Sequence, residues 1–138
     1  MLESDLLYEW RALEALLAHP QENTILISGF THSGDEVFVS GEKGRIDGIS
    51  KDQTGLKNVC GELVGISKLT PDYCRHLFTY AEGLFSQAGL NFHYEEGISA
   101  ISPKIRTNYC KVDDLIWTEI DDESHYKRAF ELIWPRLV

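Results

Sequence analysis

Apolar and polar positions along this chain follow two periods, one typical of strands and one typical of helices. Short aliphatic runs bounded by turn residues predict strands, whereas apolar residues spaced three and four apart predict helices. The strands predicted in this way are residues 2–8, 24–28, 37–40, 45–50, 62–67, 108–112 and 115–120. The helices predicted are residues 9–18, 71–88, 94–102 and a last helix that begins near 123.

The order of these elements predicts an α/β protein of one domain, residues 1–138. Strands that alternate with helices imply a mostly parallel sheet covered by helices on both faces. The turn Gly41–Gly44 predicts one antiparallel hairpin within that mixed sheet.

Apolar residues at helical spacing predict which face of each helix is buried. Thr70 and Pro71 predict the start of the second helix as N-cap and first helical residue, and Gly89 predicts its end. The residues predicted to face inward are Leu13, Leu16 and Leu17; Cys74, Leu77, Phe78, Ala81, Phe85 and Ala88; and Tyr126, Ala129, Phe130 and Ile133.

Composition excludes several classes of protein. The formal net charge of -9 and the lack of a basic patch argue against nucleic-acid binding. No apolar run is long enough to span a membrane, and the acidic first residues do not resemble a signal peptide. Cys60, Cys74 and Cys110 cannot all pair and form no C-x-x-C motif, so we expect free thiols, a cytoplasmic protein and no zinc site.

The segment 116–123 carries the clearest chemical signal. Side chains alternate along a strand, so Trp117, Glu119 and Asp121 are predicted to share one face at its carboxyl end. Open α/β sheets bind ligands there, and carboxylates at such an edge suit a hard divalent cation. The alternative is a helix cap, but Asp122 alone would satisfy the following helix.

Two further residues suit phosphate chemistry. Asp5 is predicted to close the first strand, where it would share a cation with Asp121 if their strands are neighbours. Alternatively, Asp5 is a turn residue that caps the next helix. Lys51 follows the second strand of the hairpin and would neutralise a phosphate, although a solvated loop lysine is the simpler interpretation.

Weaker signals surround these residues. Tyr94 and Glu95 lie in a His-Tyr-Glu-Glu segment, in which the acids are equally explained as first-turn residues facing a helix dipole. Glu62 follows Gly61 at the start of a predicted strand and is a candidate on position alone.

The chain resembles a known family. Residues 3–9, 33–37, 49–51 and 61–67, with the closing Trp-Thr-Glu-Ile-Asp-Asp at 117–122, resemble the phosphocholine and 2-aminoethylphosphonate cytidylyltransferases of bacteria. These enzymes belong to the MobA-like nucleotidyltransferases. The resemblance implies the C-terminal part of a Rossmann-like (GT-A-like) fold.

The family implies a role for each candidate residue. Asp5 and Asp121 would hold Mg²⁺ against the phosphates of CTP, and Lys51 would meet the phosphate or phosphonate of the acceptor. Trp117, Tyr94 and Glu119 would surround the cationic head of that acceptor through charge and cation–π attraction. Glu62 and Glu95 complete the predicted substrate site.

The family's N-terminal glycine-rich loop has no counterpart in residues 1–138. We therefore expect these residues alone to lack the nucleotide-binding half, to be inactive by themselves, and to form a homodimer through the first strand and first helix. The alternative function is a non-catalytic domain that binds a small ligand or a partner.

Overall fold

A computed structural model describes residues 1–88 and 93–138, which form an α/β fold. The strands of this part of the chain are β1 (Leu6–Tyr8), β2 (Thr24–Ser28), β3 (Phe38–Glu42), β4 (Arg45–Ser50), β5 (Val59–Lys68), β6 (Asn108–Val112) and β7 (Trp117–Glu119). The helices are α1 (Arg11–Ala18), α2 (Pro71–Ala88), α3 (Tyr94–Ile101), α4 (Glu123–Arg128) and α5 (Trp134–Leu137). A 3₁₀ turn spans Gln53–Gly55, and a π-helical segment, Ala129–Ile133, joins α4 to α5.

Five strands close into a small mixed barrel in the order β2-β5-β3-β4-β6. Among the described strands of this barrel, β2 and β6 pair in parallel, whereas every other pairing is antiparallel. The predicted mostly parallel, Rossmann-like sheet is therefore wrong. The prediction assumed that a helix connects neighbouring strands, but the β3–β4 hairpin lies between β2 and β5 in the chain, and β5 pairs antiparallel with both β2 and β3.

The hairpin itself is confirmed. β3 and β4 pair antiparallel, and the turn between them contains Lys43 and Gly44, which both have positive φ. Two consecutive residues with positive φ are typical of the tight turns that match the twist of paired strands. Gly44 adopts this backbone at no steric cost because it has no Cβ.

Strand β2 lies at the centre of the core. All five of its residues are buried, because Ile25 and Ile27 face one apolar cluster while Leu26 faces another. The first cluster includes residues of α2 and α3, and the second includes Ala12 and Leu16 of α1. Burial on both faces explains why the sequence of β2 is apolar without alternation.

The first strand is shorter than predicted, and its pairing is antiparallel where a mostly parallel sheet was predicted. β1 begins at Leu6, after Asp5, and pairs antiparallel with β7 in a separate two-stranded sheet. Asp5 was predicted to close the first strand of a mostly parallel sheet, and that prediction is wrong. Antiparallel pairing nevertheless places the start of β1 beside the end of β7, and the Ile120 N–H donates to the Asp5 carbonyl oxygen at 2.9 Å.

Helix α2 starts as predicted, since the Thr70 hydroxyl accepts a hydrogen bond from the Tyr73 N–H at 3.1 Å. Leu77 and Ala81 are buried, but Phe78 and Phe85 are exposed. The predicted helix end at Gly89 lies outside the described residues.

The predicted inward faces of the first and last helices are partly wrong. Leu17 of α1 is exposed, and in the last helical stretch Tyr126 and Phe130 are exposed while Ala129 is buried. A small residue at the contact lets the helix approach β7 closely and leaves the larger side chains outside.

The three cysteines are unpaired, as expected. No helix in the described part of the chain is both long and apolar enough to cross a bilayer.

Candidate functional site

Carboxylates converge where the start of β1 meets the end of β7. Burial and, to a smaller extent, the negative charges of Asp121, Asp35, Glu3 and Asp5 together raise the pKa of Glu119 to about 7. One buried carboxylate oxygen of Asp5, Oδ1, has no hydrogen-bond partner. The structure therefore brings Asp5, Glu119 and Asp121 together.

This acidic cluster lacks the positive charge that would balance it. Within residues 1–88 and 93–138, Glu3, Asp5 and Glu119 form no ion pair. Asp121 has one such contact, a long one of 3.8 Å between its Oδ2 atom and the Nδ1 atom of His125. Buried carboxylates are normally paired or bound to metal because an isolated buried charge is costly. The donor atoms are all oxygens and include the unpartnered Asp5 Oδ1, so their chemistry suits a hard divalent cation. Asp121 is 54% exposed, however, and neither Asp5 nor Asp121 belongs to the group of described residues whose ligand atoms lie within 4.8 Å of one another.

Tyr94 and Glu95 border the acidic cluster from α3. Burial raises the pKa of Tyr94 well above its usual range, and the nearby Glu3, Glu95 and Glu119 act in the same direction. The Tyr94 hydroxyl is buried and lies close to Glu3. Tyr94 does not line the cavity that Trp117 and Glu119 line, so the predicted three-residue pocket for a cationic head is not formed as one surface.

That cavity, of about 550 Å³, lies beside the acidic cluster. Its walls are the loop 29–37, the start of β7, part of β5 and the last helical stretch. A pocket of this size holds a small organic ligand.

Trp117 forms part of the floor of the cavity, and most of its ring is buried instead of being exposed as a free aromatic face. Its side chain is buried in the second apolar cluster, and its indole N–H donates to the Ser28 hydroxyl at 3.0 Å. The hydrogen bond fixes the orientation of the ring, so the part that lines the cavity presents a rigid apolar surface.

Glu62 anchors the loop wall. Its carboxylate accepts hydrogen bonds from the Thr31 N–H at 2.8 Å and from the Thr31 hydroxyl at 3.0 Å. Burial raises the pKa of Glu62, although these hydrogen bonds oppose the shift. These hydrogen bonds hold the loop in place, and Glu62 itself remains part of the cavity wall.

Lys51 is not part of this arrangement. It lies exposed on the bend that follows β4 and does not line the cavity.

Sequence reasoning missed a group on the other side of Glu119. Asp35, Glu119 and His125 each offer one ligand atom, and these atoms lie within 4.8 Å of one another. The Nε2 atom of His125 is 3.0 Å from Asp35 Oδ2. The spacing of Asp121 and His125, four residues apart at the start of a helix, was the available signal.

Asp35 is held by several contacts. Burial raises its pKa, but a hydrogen bond from Ser33 and the charges of Arg128 and His125 outweigh burial, so the pKa lies below its usual value. Arg128 also donates from Nε to the Thr118 hydroxyl at 3.1 Å.

The capping interpretation is confirmed for Asp122. Its Oδ1 atom accepts from the His125 N–H at 2.9 Å and from the Ser124 hydroxyl at 2.7 Å. Asp121 is not needed for this cap. The proposed capping role of Asp5 is not observed, because Trp10 is the N-cap residue of α1 and it makes no side-chain cap.

Comparison with known proteins supports the fold more than the function. No family model matches the chain. The structure of the inositol-1-phosphate CTP transferase from T. maritima matches with a TM-score of 0.64 and 17% sequence identity. At the level of the fold, this chain resembles a CTP transferase. The match covers 88% of this chain and 48% of the CTP transferase, so the chain spans about half of that protein's length.

Proposed function

We propose that this chain is the metal-binding and acceptor-binding portion of a cytidylyltransferase. The complete enzyme would transfer CMP from CTP to phosphocholine or 2-aminoethylphosphonate and release pyrophosphate. The observation that carries the proposal is the unbalanced carboxylate cluster of Asp5, Glu119 and Asp121 beside a cavity of ligand size. The fold likeness to a CTP transferase supports the same class of reaction.

In this proposal each carboxylate has a distinct role. Asp5 and Asp121 hold Mg²⁺, which when bound neutralises charge on the phosphates of CTP. Glu119 faces the cavity and provides negative charge for the ammonium group of the acceptor, while Trp117 supplies an apolar surface. The acceptor's phosphate or phosphonate oxygen attacks the α-phosphorus of CTP. Catalysis then rests on positioning and charge stabilisation, with no covalent enzyme intermediate.

A comparison of Asp121→Ala with Asp122→Ala tests the proposal, using pyrophosphate release by the complete enzyme in the presence of CTP, Mg²⁺ and either acceptor. We expect Asp121→Ala to lower the rate by about 100-fold or more, because it removes a metal ligand. Asp122→Ala removes a cap and should leave the rate within a few-fold below its unfolding temperature. Equal losses would mean that Asp121 supports the fold only.

The acceptor role of Glu119 has its own readout in the same assay. Glu119→Gln should raise the KM for the acceptor far more than the KM for CTP, since the carboxylate faces only one of the two ligands. Binding of phosphocholine without any pyrophosphate release by the complete protein would favour the alternative, a non-catalytic binding domain. Residues 1–138 contain no glycine-rich phosphate loop, so we expect them to release no pyrophosphate by themselves.

A further inference from the structure

Arg128 presents fixed hydrogen-bond donors to the cavity. Its Nε atom is held by the Thr118 hydroxyl at 3.1 Å, which sets the plane of the guanidinium group. The NH2 atom is 3.7 Å from Asp35 Oδ2, a separation too long for a hydrogen bond. The terminal N–H groups of a half-buried arginine therefore remain available to a ligand that enters the cavity.

The π-helical segment brings a second arginine into register with the first. Two turns of an α-helix span about seven residues, so a regular helix would repeat the position of Arg128 near Pro135. In Ala129–Ile133 the helix widens, and the Trp134 N–H bonds to the Ala129 carbonyl five residues earlier. The extra residue shifts the repeat to Arg136, which lines the same cavity as Arg128.

Asp35 forms an ion pair with Arg128 at 3.7 Å, but within the described part of the chain no other acid that lines the cavity pairs with either arginine. Asp113 pairs with Lys111 at 2.6 Å, and Asp114 pairs with Arg11 at 3.0 Å. Glu62 is engaged by Thr31, as described above. Arg136 makes no hydrogen bond or ion pair with any residue in the described part of the chain. The cavity wall formed by the last helical stretch thus carries terminal guanidinium N–H groups without a hydrogen-bond acceptor among the described residues.

We propose that Arg128 and Arg136 form the subsite for the acceptor's phosphate or phosphonate group. Two guanidinium groups match the oxygens of a phosphoryl or phosphonyl dianion in geometry and charge. The assignment deepens the proposed function and rests on it for the identity of the ligand. It also moves this role from Lys51, which lies outside the cavity.

Calorimetric titration in the absence of Mg²⁺ tests the subsite with four probes: phosphocholine, 2-aminoethylphosphonate, choline and CTP. Arg136→Ala should weaken both acceptors by about ten-fold, since one charge-assisted pair of hydrogen bonds is lost. Choline has the same cationic head without the phosphate, so its affinity should not change. Arg136→Lys should recover only part of the loss, because an ammonium group cannot bind in a bidentate manner.

Arg75→Ala is the matched control. Arg75 is exposed on α2, pairs with Asp72 and lies outside the cavity, so its loss removes one positive charge without touching the subsite. Thermal unfolding of each variant confirms that Arg136→Ala is folded before the affinities are compared.

Three results would overturn the subsite. They are no binding of either acceptor to the unmodified protein, equal weakening of choline and phosphocholine by Arg136→Ala, and a loss that follows Lys51→Ala but not Arg136→Ala. A larger loss for CTP than for the acceptors would assign the arginines to the nucleotide and would likewise reject the proposal. The titration measures binding and not turnover. It therefore tests the subsite even if the complete enzyme releases no pyrophosphate.

Discussion

Glu62 is a buried acid, and its ionisation opposes folding. Its hydrogen bonds with Thr31 stabilise the loop that forms one wall of the cavity. Its pKa in the folded protein is raised, mainly by burial, so the folded state holds this proton at pH values where the unfolded chain has released it. The free energy of unfolding therefore decreases as the pH rises from about 4.5 through the folded pKa of Glu62. The contribution is fully present only below that window.

We expect Glu62→Gln to remove this part of the pH dependence. Urea unfolding of the wild type and the variant at several values between pH 4 and pH 8 measures the difference. The wild type should lose stability relative to the variant as the pH rises. Glu14→Gln, at an exposed position of α1, controls for the loss of one negative charge. A difference that stays constant across this range would show that Glu62 keeps an ordinary pKa.

At the scale of single residues, the sequence located part of the site and missed another part. Glu119 could be found from strand alternation. Asp5 and Asp121 lie just outside β1 and β7, so only their position next to those strands indicates them. Asp35 and Arg128 could not be found, because they come from a loop and from the last helix. Their approach to Glu119 depends on how those segments pack, which no local pattern encodes.

Helix α4 depends on one cap. Asp122 accepts from the His125 N–H and the Ser124 hydroxyl, and these hydrogen bonds lower its pKa. We expect Asp122→Ala to reduce the free energy of unfolding, because the helix N–H groups lose their cap. Asp122→Asn should retain most of the stability, since an amide oxygen also accepts from the helix N–H groups. Urea denaturation at neutral pH measures both, and a loss that is equal for Ala and Asn would point to charge instead of the cap.

The elements themselves were largely predictable, but their partners were not. β2 and β6 have the predicted ends, and the hairpin follows from its turn residues. Nothing in the period of β5 distinguishes antiparallel pairing with β2 from a parallel crossover, because a strand buried on both faces is apolar in either case. The exposed Phe130 shows the same limit for helices, since periodicity identifies an apolar face without showing whether another element covers it.

The described residues expose one apolar stripe near each end of the chain. One lies at the first helix, where Trp10 and Leu17 are each 66% exposed, whereas Leu13 between them packs partly against the second apolar cluster. The other lies on the last helical stretch, where Tyr126 and Phe130 stack with ring centroids 6.4 Å apart. Contiguous apolar surface of this kind often marks a contact between proteins.

We expect self-association through the first stripe, most simply as a twofold dimer in which two copies of α1 pack together. Trp10 and Leu17 are seven residues apart, a spacing that places two side chains on one face of a helix, where they are exposed to a partner. Sedimentation equilibrium at micromolar concentration measures the mass. Leu17→Glu should shift the protein toward monomer, because it places a charge within the paired helices.

Phe130→Glu is the matched control for this dimer, since Phe130 is similarly exposed, at 63%, but lies on the other stripe. It should leave the mass unchanged. The reverse pattern, in which Phe130→Glu dissociates the dimer and Leu17→Glu does not, would place the interface on the last helix. A wild-type protein that remains monomeric at tens of micromolar would reject both interfaces.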